Sequence, residues 1–259
     1  MSAALLLPVL FFGLIGAPGD ADGLITLRYR FQKGLVYEDR TERAFYMKAV
    51  DAESGKTAIW DLTSEEVLRR TVIAVDETEH PTMERVEVLK FSRTITAMPN
   101  RRPGVVPDPA AGKTFLWRLT KKGWRLYNKS ERDVTDAYTR LVARLKNWRD
   151  ARLPEKPIAV GGTWSVPYAT FLRTSGSAVP DGVKGLVRFK LESVKDGRAK
   201  ITFSIVGEET GNKHTFHGIW MFDSKNGRDL SLENTGKIES ADGKTGKGNA
   251  RSKRTITYQ

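Results

Sequence analysis

Leu186-Val-Arg-Phe-Lys-Leu-Glu-Ser-Val194, Lys195-Asp-Gly-Arg198, Ala199-Lys-Ile-Thr-Phe-Ser-Ile-Val206: the outer two runs read as strands, and the Asp196-Gly197 pair between them accepts positive φ and closes hairpins. The same signal recurs on both sides. Thr163 to Val166, Thr215 to Phe222, Leu230 to Ile238 and Arg254 to Tyr258 read as further strands, with Asn226-Gly227 a second turn of this kind. Ala241 to Ser252 is rich in Gly and Lys and is expected to be a basic loop before the last strand.

The first half carries the same grammar. Leu27, Tyr29 and Phe31 alternate with Arg28, Arg30 and Gln32, the period of a strand with one buried face. Val36 to Val50 continues extended, Asp51 to Gly55 is a turn, and Thr57 to Leu62 is extended again. Ser64-Glu65-Glu66 could cap a helix, but the β-branched run Thr71-Val-Ile-Ala-Val75 argues for a strand. Glu84 to Met98 is another strand, and Asn100 to Gly112 is a loop because it holds Pro103, Pro107 and Pro109. Phe115 to Leu119 and Trp124 to Tyr127 flank Lys121-Lys122-Gly123 as a hairpin.

One segment reads as a helix. Ser130 is placed to cap it, Glu131 and Asp133 suit its first turn, and Val134, Tyr138, Leu141, Leu145 and Trp148 form an apolar stripe that ends before Pro154 and Pro157. The expected fold is therefore mainly β. Curved antiparallel sheets, as a half-barrel or two lobes, pack around one central amphipathic helix at 130–152 that joins a 22–129 half to a 158–259 half in a single domain.

Ala4 to Ile15 is apolar and uncharged, too short for a membrane-spanning helix but long enough for a signal-peptide core. Small residues follow at Gly16, Ala17, Gly19 and Ala21, so residues 1–21 are expected to be a signal peptide and the protein secreted or periplasmic. No second run of about 20 apolar residues follows, so no transmembrane segment is expected in the mature chain. The 259 residues include no cysteine, which excludes disulfides, thiolate metal sites and cysteine nucleophiles. Lys and Arg number 43 against 31 Asp and Glu, a net charge of +12 that attracts acidic partners.

Leu153-Pro-Glu-Lys-Pro-Ile-Ala-Val-Gly-Gly-Thr-Trp164, with Leu27 to Gly34 and the hairpin Gly218 to Asp223 and Gly227 to Leu232, resembles a family of uncharacterised exported bacterial β-rich proteins marked by Pro-x-x-Val-Gly-x-Thr-Trp. The usual acidic residue after the first glycine is Gly162 here. The resemblance implies a fold and carries no assigned activity. Physically, Pro154 and Pro157 stop the helix, Gly161 and Gly162 permit a reversal, and Trp164 fills the core.

The metal, phosphate-loop and nucleophilic-serine patterns are not found in the sequence. His214 and His217 would point to opposite faces of a strand, which argues against a shared metal. Gly-Lys-Thr begins at Gly55, Gly112 and Gly243, but the glycine that a phosphate loop needs five positions earlier is Val50, Pro107 and Ile238. No Gly-x-Ser-x-Gly elbow occurs. No cofactor, metal or nucleic-acid partner is expected, and Trp117 and Trp124 belong to the core. The expectation is a non-catalytic exported protein that binds a lipid or other amphipathic molecule in a concave sheet. Tyr138, Leu141, Leu145 and Trp148 are the candidate ligand or core stripe, and Lys244, Lys247, Arg251 and Lys253 the candidate basic surface. Two alternatives remain open: an envelope structural or interaction module touching acidic polymers, and a carboxylate-based hydrolase.

Overall fold

The computed structural model describes residues 23–50, 54–121, 123–138, 152–174, 182–209, 211–240 and 245–259. Alternating side chains lay down long strands, each burying every second residue on one face. In the first half these are β1 (Leu24–Ile25), β2 (Val36–Val50), β3 (Thr57–Val75), β4 (Pro81–Ala97), β5 (Gly104–Pro107), β6 (Thr114–Thr120) and β7 (Gly123–Tyr127). In the second half come β8 (Ile158–Ala159), β9 (Thr163–Pro167), the helix α1 (Tyr168–Thr174), β10 (Lys184–Lys195), β11 (Arg198–Glu209), β12 (Asn212–Asp223), β13 (Arg228–Ser240) and β14 (Gly246–Tyr258).

Twelve strands form one antiparallel sheet in the order β7-β6-β4-β3-β2-β14-β13-β12-β11-β10-β9, with β5 paired to β4. It does not close into a barrel. The two halves meet where β14 lies against β2, from Gly246 beside Ala49 to Tyr258 beside Tyr37. Sequential hairpins on each side of that seam build the rest. The expected turns are where the sequence puts them: Asp196 and Gly197 have φ of 52° and 77°, and Gly55 has 65°.

One face of the sheet carries the apolar core. Ala199, Ile201, Phe203 and Ile205 of β11 lie at 0–4% exposure, with Phe189 of β10 and Trp220 and Phe222 of β12 beside them. A second apolar cluster gathers Leu68, Val86, Val88, Phe115, Trp117 and Leu126 at the other end.

What covers this face differs from expectation. Leu27, Tyr29 and Phe31 are buried as the alternation requires, at 4%, 0% and 3% exposure. The segment is nevertheless not a sheet strand. Beyond the short β1, which pairs with β8, it runs extended across the core face as a strap. Isolated bonds fasten it: the Arg30 amide donates to the Gly227 carbonyl at 3.0 Å and the Phe31 amide to the Glu79 carbonyl at 2.9 Å. α1 and Leu153 join the strap in the same cluster. Trp164 is half-buried there, stacked on Phe189 at 5.2 Å with its indole N–H donating to the Arg152 carbonyl at 2.8 Å.

The expected helix does not begin at Ser130. The Asn128 side-chain oxygen takes the amides of Ser130 and Arg132, each at 3.0 Å, and Glu131 sits at φ 56°. The chain then pairs back on β7, with the Val134 amide donating to the Leu126 carbonyl at 2.8 Å. An asparagine that captures nearby amides offers the backbone an alternative to helix, and here it wins. Asp136–Tyr138 is a single 3₁₀ turn. Leu141, Leu145 and Trp148 lie outside the described residues, as do residues 1–21 and Lys244. The basic loop expected over 241–252 is also corrected, because β14 begins at Gly246. Gly248 serves close approach: a Cβ there would meet the Tyr46 carbonyl oxygen at 2.3 Å.

The strap also explains one turn. Gly227 has φ 63°, and a Cβ there would lie 2.4 Å from the Arg28 carbonyl oxygen. Gly227→Ala is expected to lower stability by about 2–4 kcal/mol in urea unfolding, combining left-handed strain with displacement of the strap. Gly211→Ala, at φ 76° with open space around it, should cost only about 1 kcal/mol.

Candidate functional site

Two groups of polar residues stand out, one on each face of the sheet. On the core face, three carboxylates and two arginines alternate across β13, β14, β2, β3 and β4, and Arg152, which precedes β8, adds a third arginine at one end. Arg152 reaches Asp229 at 3.5 Å, and Arg254 reaches the same carboxylate at 3.5 Å. Arg254 also grips Asp39 with two bonds, Nε to Oδ1 at 2.8 Å and Nη2 to Oδ2 at 2.7 Å. Arg70 lies 3.6 Å from Asp39 and bonds Glu84 directly. Tyr29 and Trp220 donate to Asp229 at 2.7 and 2.9 Å, and Tyr37 donates to Glu84 at 2.8 Å. The guanidiniums of Arg70 and Arg152 stack on Trp117 at 4.7 Å and on Trp220 at 5.1 Å.

These contacts read as architecture. Each of these three acids is matched by an arginine, so the group is neutral, and it ties the two apolar clusters together. Burial alone would lower the Arg254 pKa; the Asp39 charge and hydrogen bonds, with Asp229 and Tyr37 behind them, raise it above its ordinary value. No proton is therefore available from it. Asp39, Glu84 and Asp229 do not line the cavity described next.

The opposite face is open over a cavity of about 1070 Å³. Strand register builds its floor. Ser165, Arg188, Ser204, His217, Thr235 and Arg251 stand side by side on β9 to β14, a row that continues through Ala44 and Thr63 to Thr94. The next row runs Thr163, Lys190, Thr202, Ile219, Glu233 and Lys253. Hydroxyls, cations and the 43%-exposed Ile219 thus share one surface. Leu186 and Val206 face each other in the row beyond Arg188 and are exposed as well. A smaller hollow of about 370 Å³ adjoins at Arg251, lined by Glu42, Thr63, Glu65, Ser92, Thr94 and Lys253 among others.

The charges of this face differ in their pairing. Lys190 bonds Glu192 at 3.0 Å and Lys253 bonds Glu233 at 2.9 Å. Arg40 and Lys90 converge on Glu65 in the same way. Among the described residues, Arg188, His217 and Arg251 have no acidic partner.

Of the residues the sequence singled out, Arg251 lines the cavity, Lys253 lines the smaller hollow, and Lys247 is exposed farther along β14. Tyr138 packs against the second apolar cluster. Its ring lies 4.9 Å from Phe115 and its hydroxyl accepts from Lys113 at 2.7 Å. Trp117 is buried as expected, and Arg254 belongs to the core-face chain. Arg188, Lys190 and His217 were not singled out as ligand residues from sequence. Their only signal is polar residues alternating with core residues along β10 and β12. His214 and His217 do occupy opposite faces: His214 packs against Tyr168 beside α1, with ring centroids 6.1 Å apart. Among the described residues no three His, Asp or Glu gather to hold a metal ion.

No family model matches the chain. No curated protein matches it. Among solved structures it resembles one described as lipid-protein interactions in lipovitellin, with TM-score 0.51 and 8% identity over 89% of this chain. The match spans 26% of the lipovitellin chain. The likeness shows a shared fold.

Two stability outcomes follow. Asp39→Ala strips Arg254 of its bidentate partner inside the core and is expected to cost about 3–5 kcal/mol, against at most about 1 kcal/mol for Glu233→Gln at the exposed pair, read as urea midpoints. Burial lowers the His214 pKa, with Glu209 partly opposing. The unfolded chain therefore takes up that proton first, so its contribution is complete above about pH 6.5 and is lost progressively as pH falls from there through the lower folded-state pKa. Thermal midpoints should fall from pH 7 to pH 5, and His214→Gln should flatten that slope.

Proposed function

We propose that this is a non-catalytic, exported protein that binds an amphipathic molecule with an acidic head on the open face of its sheet. The cavity over β9 to β14 carries this reading, because its lining mixes cations, hydroxyls and exposed Ile219. A site with a few convergent polar groups around apolar surface suits a ligand that is itself two-sided. The core face is unsuited to that role: the strap and α1 already occupy it. The ligand face is thus the opposite of the apolar one expected from sequence.

The net charge of +12 favours an acidic head. The lipovitellin likeness supports a lipid, since that structure concerns lipid–protein interactions. Export rests on the apolar run at Ala4 to Ile15 and the small residues after it. A non-catalytic role is supported by the full pairing of the buried acids Asp39, Glu84 and Asp229.

Solvent extraction of purified protein, followed by mass spectrometry, is expected to yield one dominant amphipathic species. Ile219→Asp, which puts a negative charge on the cavity floor, should lower its recovery about tenfold without altering the far-ultraviolet circular dichroism. An empty wild-type protein that also fails to take up lipid from vesicles would refute the reading.

A further inference from the structure

Arg188 and Arg251 belong to one cross-strand row, on β10 and β14, with Ser204, His217 and Thr235 between them. At a spacing of 4.7–4.9 Å per strand, four steps separate their Cα atoms by roughly 19 Å along the sheet. Both guanidinium forks could close on one phosphate only with the two side chains fully extended toward each other, whereas two phosphates on a short spacer meet them with the side chains inclined part of the way. Both arginines are exposed and, among the described residues, lack an acidic partner, while Lys190, Lys253, Arg40 and Lys90 on the same face are matched by Glu192, Glu233 and Glu65. Of the cations that line the cavity, Lys190 is thus neutralised and Arg188 and Arg251 are left as two separated charges. Between them lie hydroxyls and an imidazole, donors and acceptors suited to a polyol.

We infer that the head taken by this face carries two phosphates on a polyol spacer, one bound by Arg188 and the other by Arg251, with Ser204, His217 and Thr235 against the spacer. This rests on the proposal that the open face binds lipid, and it names the lipid class. Arginine suits the task because its planar fork bonds phosphate through two parallel N–H donors. Two anchors at a set separation also discriminate by geometry, which a diffuse positive surface does not.

The test is co-sedimentation with phosphatidylcholine vesicles doped either with cardiolipin, two phosphates joined by glycerol, or with phosphatidylglycerol at equal total charge. Measurements are made at physiological salt, where non-specific attraction is screened. Binding to cardiolipin vesicles is expected to be about tenfold tighter. Arg188→Gln and Arg251→Gln should each bring it within about twofold of phosphatidylglycerol, whereas Lys253→Gln should keep the preference; circular dichroism confirms that all three remain folded. Equal binding of both lipids, or a preference that survives both arginine variants, would overturn the two-anchor inference and leave the lipid-binding face standing. Failure to bind either vesicle overturns both. Preferential binding of a soluble anionic polysaccharide such as heparin, lost in the same arginine variants, would replace the lipid with an acidic polymer.

Discussion

The Asp39–Arg254 pair sits at the seam where the C-terminal strand meets the first long one, and the rest of the sheet depends on it. The two residues are 215 positions apart in the chain. Two parallel charge-assisted bonds hold β14 on β2 in a single register, because a slip of one residue would move Asp39 to the opposite face. From this pair the alternating charges run outward, through Arg70 to Glu84 and through Asp229 to Arg152. A buried charge without its partner is costly, so the chain admits one arrangement of five strands. Its aromatic neighbours weld it to the core: Tyr29 comes from the strap, Tyr37 from β2, Trp117 and Trp220 from the two apolar clusters.

That arrangement decides which face is free. The strap is fastened to the charge chain through the Tyr29 hydroxyl, and its apolar side chains fill the core face together with α1. The opposite face then bears the alternate residues of the same strands, which are polar because the pleat sends them away from the core. A wide antiparallel sheet with one filled face and one open face needs no catalytic apparatus to have a function. The proposed binding rests on what the register places in rows.

Most of the sheet was legible because alternation and turn dipeptides are local signals. Asp196-Gly197 and the runs around it announce β10 and β11 with no tertiary information. Leu27, Tyr29 and Phe31 show the limit of that signal: alternation reports which side chains are buried, not what the backbone pairs with, so a strap reads as a strand. Gly246 and Gly248 were misleading in the other direction. Their composition is that of a loop, yet both lie in β14, and at Gly248 the neighbouring backbone approaches too closely for a Cβ. The helix start at Ser130 was lost to Asn128, a competing hydrogen bond that no periodicity reveals. The candidate site was the least legible part. Arg188, His217 and Arg251 become neighbours only through the register of strands whose order along the sheet no local pattern states. Arg251 was noticed merely for lying in a basic stretch.

On the proposed reading the core face is filled and the open face takes the ligand. The most direct measurement is photolabelling of the folded protein with a lipid bearing a photoactivatable group in its acyl chain, followed by peptide mapping. The account predicts adducts on β10, β11 and β12 at outward positions such as Leu186, Val206 and Ile219. Adducts on Tyr29, Phe203 or Phe222 would place the lipid under the strap and contradict it.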